Sequence, residues 1–259
     1  MIILIITCPS LYPKRVPRLL DALHQSGLST LCSSTHIISG SDEFISLETE
    51  CYYVPQNWSS DIRAGWGAFL GNILAIQPNS ADLSLSDRLS LFGETHPSLS
   101  LPPRLLTQAE QSVFRRHIYA CKIVTCLGEP ALVLEDDATI LEGSNISDLV
   151  TTLQLLCLRP SFIDLADDFI PPWASAAPYP TTQGIDFLSH HVAITRTLIG
   201  YAIGPSLASV LYRSSKHFSL PIDMHYQKVF CELKISGFRP SINFFSHGSK
   251  SGEFASSLI

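Results

Sequence analysis

The sequence Ile-Ile-Leu-Ile-Ile at positions 2–6 decides the fold class, because it is a short, continuous apolar run rich in β-branched residues. Such runs are typical of strands buried on both faces, as in parallel sheets covered by helices. Apolar residues at helical spacing follow over residues 16–25, with Gly27 as a C-cap. A second strand is predicted at Thr35–Ile38. Strand, helix and strand in this order predict an α/β domain with a mostly parallel central sheet.

The rest of the chain continues this alternation, and we expect a single domain over residues 1–259. Further helices are predicted over residues 58–76, 107–125, 145–158 and 201–212, the last beginning near Pro205. Further strands are predicted over residues 131–134, 162–165, 190–195 and 242–245. Segments rich in Ser, Pro or Gly predict a variable loop over 77–104, another loop over 169–184 and a polar tail over 246–259.

The composition excludes several classes of protein. Hydrophobic residues make up 46% of the 259 residues and charged residues only 15%, so a sizeable core can form. The net charge of -6 gives no footprint for nucleic acid binding. No apolar stretch is long enough to span a membrane, and the seven cysteines show no CxxC pair or zinc spacing. We therefore expect a cytoplasmic protein with reduced thiols, with peripheral association at the inner face of a membrane left open.

The acidic triplet Glu135-Asp136-Asp137 directly follows the predicted strand 131–134. Three consecutive carboxylates there are costly unless a positive group neutralises them. Ligands of open α/β sheets bind at the carboxyl ends of the strands, and Mg²⁺ or Mn²⁺ prefers carboxylate oxygens. Acidic residues are also common in solvated turns and first helical turns. On the triplet alone, a metal site and an acidic turn are equally well supported.

The order of several motifs resembles glycosyltransferase family 25, which includes bacterial lipopolysaccharide and lipooligosaccharide glycosyltransferases. The matching residues are Leu106-Thr107-Gln108-Ala109-Glu110, His117, the segment Ala-Leu-Val-Leu-Glu-Asp-Asp-Ala at 131–138, Gly200-Tyr201-Ala202-Ile203 and Pro221-Ile222-Asp223. Together they cover roughly residues 100–225 of the chain. Arg116 stands where the family pattern has Ser, directly before His117.

The resemblance implies a GT-A-like, Rossmann-type sandwich that binds a nucleotide-sugar, with UDP-linked donors the expected class and Mn²⁺ or Mg²⁺ as cofactor. It implies an inverting enzyme that transfers a sugar to a glycan or glycolipid acceptor of the lipopolysaccharide type. Asp137 would then be a direct metal ligand, Glu135 would lie nearer the ribose or a metal-bound water, and Asp136 would take either role. Asp223 is the expected general base, followed by Asp164 with Asp167 and Asp168, although Asp223 could equally be a helix N-cap.

Four further residues are candidates for binding. His247 is a candidate last metal ligand and Lys250 a candidate diphosphate ligand, although composition alone favours a surface tail. His117 is expected to pack near the donor pocket. Arg15, like Arg18 one turn later, either reaches the nucleotide or lies on an ordinary helix face.

Two other classes of function remain open from the sequence. A metal-dependent phosphohydrolase or nucleotidyltransferase also uses carboxylates at strand ends, but a two-metal site needs a second carboxylate pair. Only the group Asp164, Asp167 and Asp168 offers one. A catalytically inactive relative that binds a sugar is the third class.

Overall fold

The computed structural model describes residues 1–8, 12–39, 48–49, 52–53, 103–104, 108–141, 146–166, 176–181, 185–195, 197–218 and 221–248. The helices in these residues are α1 (Arg15–Gln25), α2 (Leu28–Leu31), α3 (Gln108–Leu127), α4 (Ile146–Leu156), α5 (Pro205–Ser214) and α6 (Ile222–Leu233). The strands are β1 (Ile2–Ile6), β2 (Thr35–Ile38), β3 (Glu48–Thr49), β4 (Tyr52–Tyr53), β5 (Pro103–Arg104), β6 (Ala131–Glu135), β7 (Ala138–Ile140), β8 (Ser161–Asp164), β9 (Ala177–Tyr179), β10 (Phe187–His190), β11 (Gly200–Ile203), β12 (His217–Phe218), β13 (Ser236–Pro240) and β14 (Phe245–His247).

An eight-stranded sheet in the order β2-β1-β6-β11-β8-β13-β10-β9 forms the centre of the molecule. Its pairs β2-β1, β1-β6 and β8-β13 are parallel, and the other four are antiparallel. Strands β10 and β11 therefore run against the other six. The predicted α/β fold is confirmed, and the sheet is mixed: most strands share one direction, but most neighbouring pairs are antiparallel.

Strand β11 corrects the prediction of a helix over residues 201–212. Gly200–Ile203 is a fully buried strand between β6 and β8, and the helix begins only at Pro205. The two flanking strands supply its hydrogen bonds, so pairing with distant residues overrides the local pattern. The turn between strand and helix requires Gly204, because a Cβ there would lie 1.9 Å from the carbonyl oxygen of Cys157.

Helix α6 and strand β13 were not predicted, and three further corrections concern short strands near the sheet edge or at the chain end. Strand β9 lies inside the predicted loop 169–184, and the strand predicted at 190–195 is formed by Phe187–His190 instead. The last strand is Phe245–His247 rather than 242–245. Such short segments have too few residues for a clear period of two. The strands at residues 2–6, 35–38, 131–134 and 162–165 and the helices beginning near 16, 107 and 145 are confirmed, within a residue or two at their ends.

The core has one layer on each face of the sheet, as strands buried on both faces require. Ile2 and Leu4 of β1 point into a cluster with residues of α3, α5 and α6. Ile3 and Ile5 point into a second cluster, which contains residues of α1 and α4. This alternation explains why β1 is apolar at every position.

The sheet brings three polar residues to one edge. Strands β1, β6 and β8 run in the same direction, so Thr7, Glu135 and Asp164 lie at their shared carboxyl edge. Among the described residues, no helix is both long and apolar enough to cross a membrane. The predicted helix 58–76 and all of the predicted loop 77–104 except its last two residues lie outside the described residues.

Candidate functional site

Asp136, the middle residue of the acidic triplet, ties the triplet to the first strand and helix. The Thr7 hydroxyl donates a hydrogen bond of 2.6 Å to its Oδ2, and the backbone N–H of Cys8 donates a longer one of 3.4 Å to the same atom. Nη1 of Arg15 lies 3.2 Å from its Oδ1, and both side chains are buried. Both carboxylate oxygens thus have protein partners, which makes Asp136 an anchor of the site.

Arg15 is one of the predicted residues that the fold brings to the site. Its guanidinium lies over the ring of Tyr12, with 3.6 Å between the guanidinium carbon and the ring centroid. Its Nη1 also lies 3.9 Å from Oδ2 of Asp137. The interpretation of Arg15 as an ordinary helix-face residue is wrong, because its side chain is only 5% exposed. Arg18 is exposed and lines a smaller cavity of about 170 Å³.

Glu135 is held by a buried hydrogen-bond chain. His117, fully buried in α3, lies with Nε2 3.2 Å from Oε1 of Glu135 and with Nδ1 2.9 Å from the hydroxyl of Tyr201. An ionised carboxylate only accepts, so Nε2–H donates to Glu135. Nδ1 accepts from the Tyr201 hydroxyl when the imidazole is neutral and donates to it when the imidazole is protonated. His117 therefore orients Glu135, which keeps 26% of its side chain exposed.

His247 reaches the triplet through a small two-stranded sheet. Strand β14 pairs antiparallel with β7, and this register places His247 opposite Ala138, the residue after the triplet. The backbone N–H of Gly248 donates to the carbonyl oxygen of Asp137 at 2.9 Å. Nδ1 of His247 then lies 3.2 Å from Oδ2 of Asp137.

Glu135, Asp137 and His247 together form a set of ligands that could hold a metal ion. One ligand atom from each residue lies within 4.8 Å of the other two. Two carboxylates and one imidazole suit Mn²⁺, and also Mg²⁺ if water completes its coordination. Asp136 is not one of the three, because its carboxylate is held by Thr7, Cys8 and Arg15.

The two carboxyls of this set have opposite pKa shifts. Burial, followed by the negative charge of Glu135, raises the pKa of Asp137 to about 7. Burial also acts to raise the pKa of Glu135, but the hydrogen bond and charge of His117 outweigh it and lower the pKa below its ordinary value. At neutral pH Glu135 is ionised, whereas Asp137 keeps its proton up to a much higher pH than an ordinary aspartate does. A cation between them would favour release of that proton.

The triplet forms part of the wall of a cavity of about 640 Å³, a volume typical of small-molecule sites. The cavity is lined by the end of β1, the first turns of α3 and the end of β6. Its charged lining residues are Arg15, Arg115, Arg116, Glu135, Asp136 and Asp137. Among the described lining residues, the charges of three arginines therefore balance those of three acids when no cation is bound.

Arg116 is the residue that sequence reasoning missed at this site. Its side chain lines the cavity although the residue is only 8% exposed. Its Nε is buried without a hydrogen bond, and its guanidinium forms no ion pair with any described residue. The signal in the sequence was its departure from the Ser of the family pattern. Thr7 was missed as well, although it follows the first buried strand directly.

The remaining predicted residues are more scattered. Asp164 ends β8, is buried, and accepts a hydrogen bond from the backbone N–H of Ala166 at 3.1 Å. Asp223 lies half-buried in the first turn of α6, where Pro221 occupies the N-cap position, so Asp223 is not the cap itself. Lys250, Asp167 and Asp168 lie outside the described residues.

Comparison with known proteins finds no relative by sequence and a distant similarity to solved structures. No family model matches the chain, and no curated protein matches it either. Among solved structures, the chain is similar to UTP-bound UGPase from Acinetobacter baumannii, with 9% sequence identity and a TM-score of 0.44. That match covers 93% of this chain and 86% of the other. What the site binds therefore has to follow from the residues that line it.

Proposed function

We propose that this protein is a metal-assisted, inverting glycosyltransferase that moves a sugar from a nucleotide-sugar to a glycan or glycolipid acceptor. The observation that carries the proposal is the convergence of Glu135, Asp137 and His247 at the edge of a cavity that is also lined by arginines. A cation site beside positive side chains suits a ligand with several negative charges, such as a nucleoside diphosphate.

Mn²⁺ or Mg²⁺ is the cation that the three ligands would hold. Bound there, the ion would neutralise charge on the departing nucleoside diphosphate. The chain's own residues prepare the site: His117 orients Glu135, and Asp136 together with Arg15 fixes the start of α1 against the end of β6. Hydrogen bonds and an ion pair therefore hold this part of the site in place before a metal ion or nucleotide-sugar binds.

The donor is proposed to be UDP-linked, as the resemblance to glycosyltransferase family 25 implies. The cavity of about 640 Å³ is large enough to take a substantial part of such a molecule. Membership of that family stays a prediction. So do an acceptor of the lipopolysaccharide type, a cytoplasmic location and association with the inner face of a membrane. Lys250 is kept as a proposed diphosphate ligand.

The general base is proposed to be Asp223 or Asp164. An inverting reaction needs one carboxylate to take the proton of the acceptor hydroxyl as that hydroxyl attacks the anomeric carbon. Asp164 lies at the same sheet edge as Glu135, and Asp223 lies half-buried at the start of α6. Asp164→Asn and Asp223→Asn separate them: loss of the base lowers kcat of transfer while donor binding stays unchanged.

The proposal is tested by incubating the protein with a panel of UDP-sugars and glycan acceptors, with Mn²⁺, Mg²⁺ or EDTA, and detecting products by mass spectrometry. We expect sugar transfer from one donor that requires a divalent ion and is lost in Asp137→Asn. Asp186→Asn, at an exposed carboxylate, is the matched control and should retain activity.

Other outcomes would point to the alternatives. Release of phosphate or pyrophosphate from nucleotides without sugar transfer would support a phosphohydrolase or nucleotidyltransferase. Binding of a sugar or nucleotide-sugar without any turnover would support an inactive binding protein. Transfer that persists in EDTA, or in Asp137→Asn, would contradict the metal-assisted mechanism.

A further inference from the structure

Arg116 is a buried cation in the cavity wall, and no described residue supplies a counter-charge for it. Its residue exposure is 8%, its Nε makes no hydrogen bond, and no carboxylate among the described residues pairs with its guanidinium. Its neighbour in the cavity wall, Arg15, shows the contrast, because it lies 3.2 Å from Oδ1 of Asp136. Burying an unpaired charge costs free energy, so we expect an anion from outside the chain to bind to this side chain.

The surroundings of Arg116 also favour an anion. Gln108, Ala109, Gln111 and Ser112 from the first turns of α3 line the same cavity. This helix of 20 residues begins at the cavity, so the positive end of its dipole faces that side. Arginine, with its planar fork of donors, is well suited to bind phosphate oxygens in pairs.

The net charge of the residues that line the cavity also favours an anionic ligand, and it indicates a diphosphate. Three arginines and three acids line it, so a divalent cation held by the acidic side would leave a surplus of two positive charges. A diphosphate carries charge of matching size and opposite sign.

We propose that Arg116 binds the diphosphate of the ligand that occupies this cavity, which Glu135 and Asp137 of the cation site also line. This inference rests on the proposed function in that the diphosphate is taken to belong to a nucleotide-sugar. It assigns a binding role to the position at which this chain has Arg in place of the Ser of the family pattern. The shared chemistry is a diphosphate, whether free or part of a nucleotide.

The test uses Arg116→Met in the full chain, because Met keeps most of the unbranched apolar stem and removes the charge. Calorimetric titrations with inorganic pyrophosphate, UDP and uridine, each in Mn²⁺ and in EDTA, compare this variant with the wild type. Arg159→Ala, at an exposed arginine, is the matched control. We expect Arg116→Met to weaken pyrophosphate and UDP binding by at least about tenfold and to leave uridine binding unchanged.

Thermal unfolding distinguishes a binding arginine from a structural one. Without ligand, Arg116→Met should unfold at the same temperature as the wild type or at a higher one, because the variant no longer buries an unpaired charge. Added UDP should stabilise the wild type more than the variant. A variant that unfolds at a lower temperature, with unchanged affinity for pyrophosphate and UDP, would show that Arg116 is structural and would overturn the inference.

The same titrations separate this inference from the proposed function. Arg116-dependent binding of pyrophosphate by a protein that transfers no sugar would support the inference and contradict the transferase. Mn²⁺-dependent binding of a UDP-sugar with equal affinity in the wild type and Arg116→Met would support the transferase and overturn the inference. A wild-type protein that binds neither pyrophosphate nor UDP would overturn both.

Discussion

Nδ1 of His247 lies 3.2 Å from Oδ2 of Asp137, although the two residues are far apart in the chain. The pairing of β14 with β7 brings them together, and the Gly248 N–H bond to the Asp137 carbonyl fixes the end of that pairing. The cluster of ligands is thus complete only when the strand near the C-terminus has folded back on the residues after the triplet. Metal binding should therefore report on the folding of this strand.

Replacing Asp137 with Asn should abolish Mn²⁺ binding without unfolding the protein. The amide keeps the shape of the carboxyl but removes the charge that burial and Glu135 disfavour. We therefore expect the unfolding temperature without metal at pH 8 to be unchanged or raised, while binding of Mn²⁺ falls below detection by calorimetry. Asp186→Asn, at an exposed site, should bind the ion like the wild type. Wild-type affinity in Asp137→Asn would remove Asp137 from the site.

The affinity for Mn²⁺ should depend on pH through Asp137. Its pKa of about 7 means that below this pH the ion must displace a proton. We expect the Kd for Mn²⁺ to rise by roughly tenfold for each pH unit below about 7, and to level off above it, apart from any contribution of His247 at low pH. Calorimetry between pH 5.5 and 8.5 measures this profile. A flat profile across pH 7 would show that Asp137 is already ionised or is no ligand.

The carboxyl group of Asp137 should also determine how the stability of the metal-free protein depends on pH. The pKa of Asp137 is raised in the folded protein, so the folded state binds more protons than the unfolded state between its ordinary pKa and about 7. Its contribution to stability is full below the ordinary Asp pKa and is lost as the pH rises through about 7. Urea unfolding should show this loss in the wild type, and Asp137→Asn should lack that component. An identical pH dependence in both proteins would contradict the assignment.

The anchor at Asp136 can be tested through Thr7. The buried Thr7 hydroxyl donates a hydrogen bond of 2.6 Å to the Asp136 carboxylate. Thr7→Val keeps the shape and removes the donor, so the free energy of unfolding should fall by about 1–3 kcal/mol. Thr7→Ser retains the donor and should lose less, which urea unfolding can measure. Equal stability of Thr7→Val and the wild type would mean that the hydrogen bond contributes nothing net.

His117 should act on metal binding through Glu135 alone. Its hydrogen bond and charge help to hold the pKa of Glu135 below its ordinary value. In His117→Leu that pKa should rise, so Mn²⁺ binding should weaken several-fold at pH 6 and recover at pH 8. His117→Gln, which can still donate a hydrogen bond, should behave more like the wild type. A loss of binding in His117→Leu that is equal at both pH values would indicate a direct ligand or a distorted site.

The local patterns that could be read from the sequence are those with a strong period or a continuous apolar run. Strands β1 and β6 and helix α3 are of this kind, and the triplet at the end of β6 followed from them. Strand β11 was missed because its identity depends on pairing with β6 and β8, which local residues do not reveal. The chain-end strand was placed a few residues early for the same reason.

In the site, too, the residue types could be predicted from the local sequence, whereas contacts between distant residues could not. The residue types of the triplet indicated a cation, and His247 was a reasonable candidate from its position after an apolar segment. The sequence could not show that Asp136 turns towards Thr7 and Arg15, since that depends on the parallel pairing of β1 with β6. Nor could it show that Arg116 is buried without an ion-pair partner among the described residues, because burial and pairing are properties of the folded chain.

The most direct test of the central claim is a calorimetric titration of UDP-sugars into the wild type and His247→Ala, each in Mn²⁺ and in EDTA. If Glu135, Asp137 and His247 hold the ion that binds the donor, the wild type will bind one UDP-sugar in Mn²⁺ and bind it much more weakly in EDTA. His247→Ala will lose most of that difference. Binding that is equally tight in Mn²⁺ and EDTA, or no binding of any UDP-sugar by the folded wild type, would contradict the account.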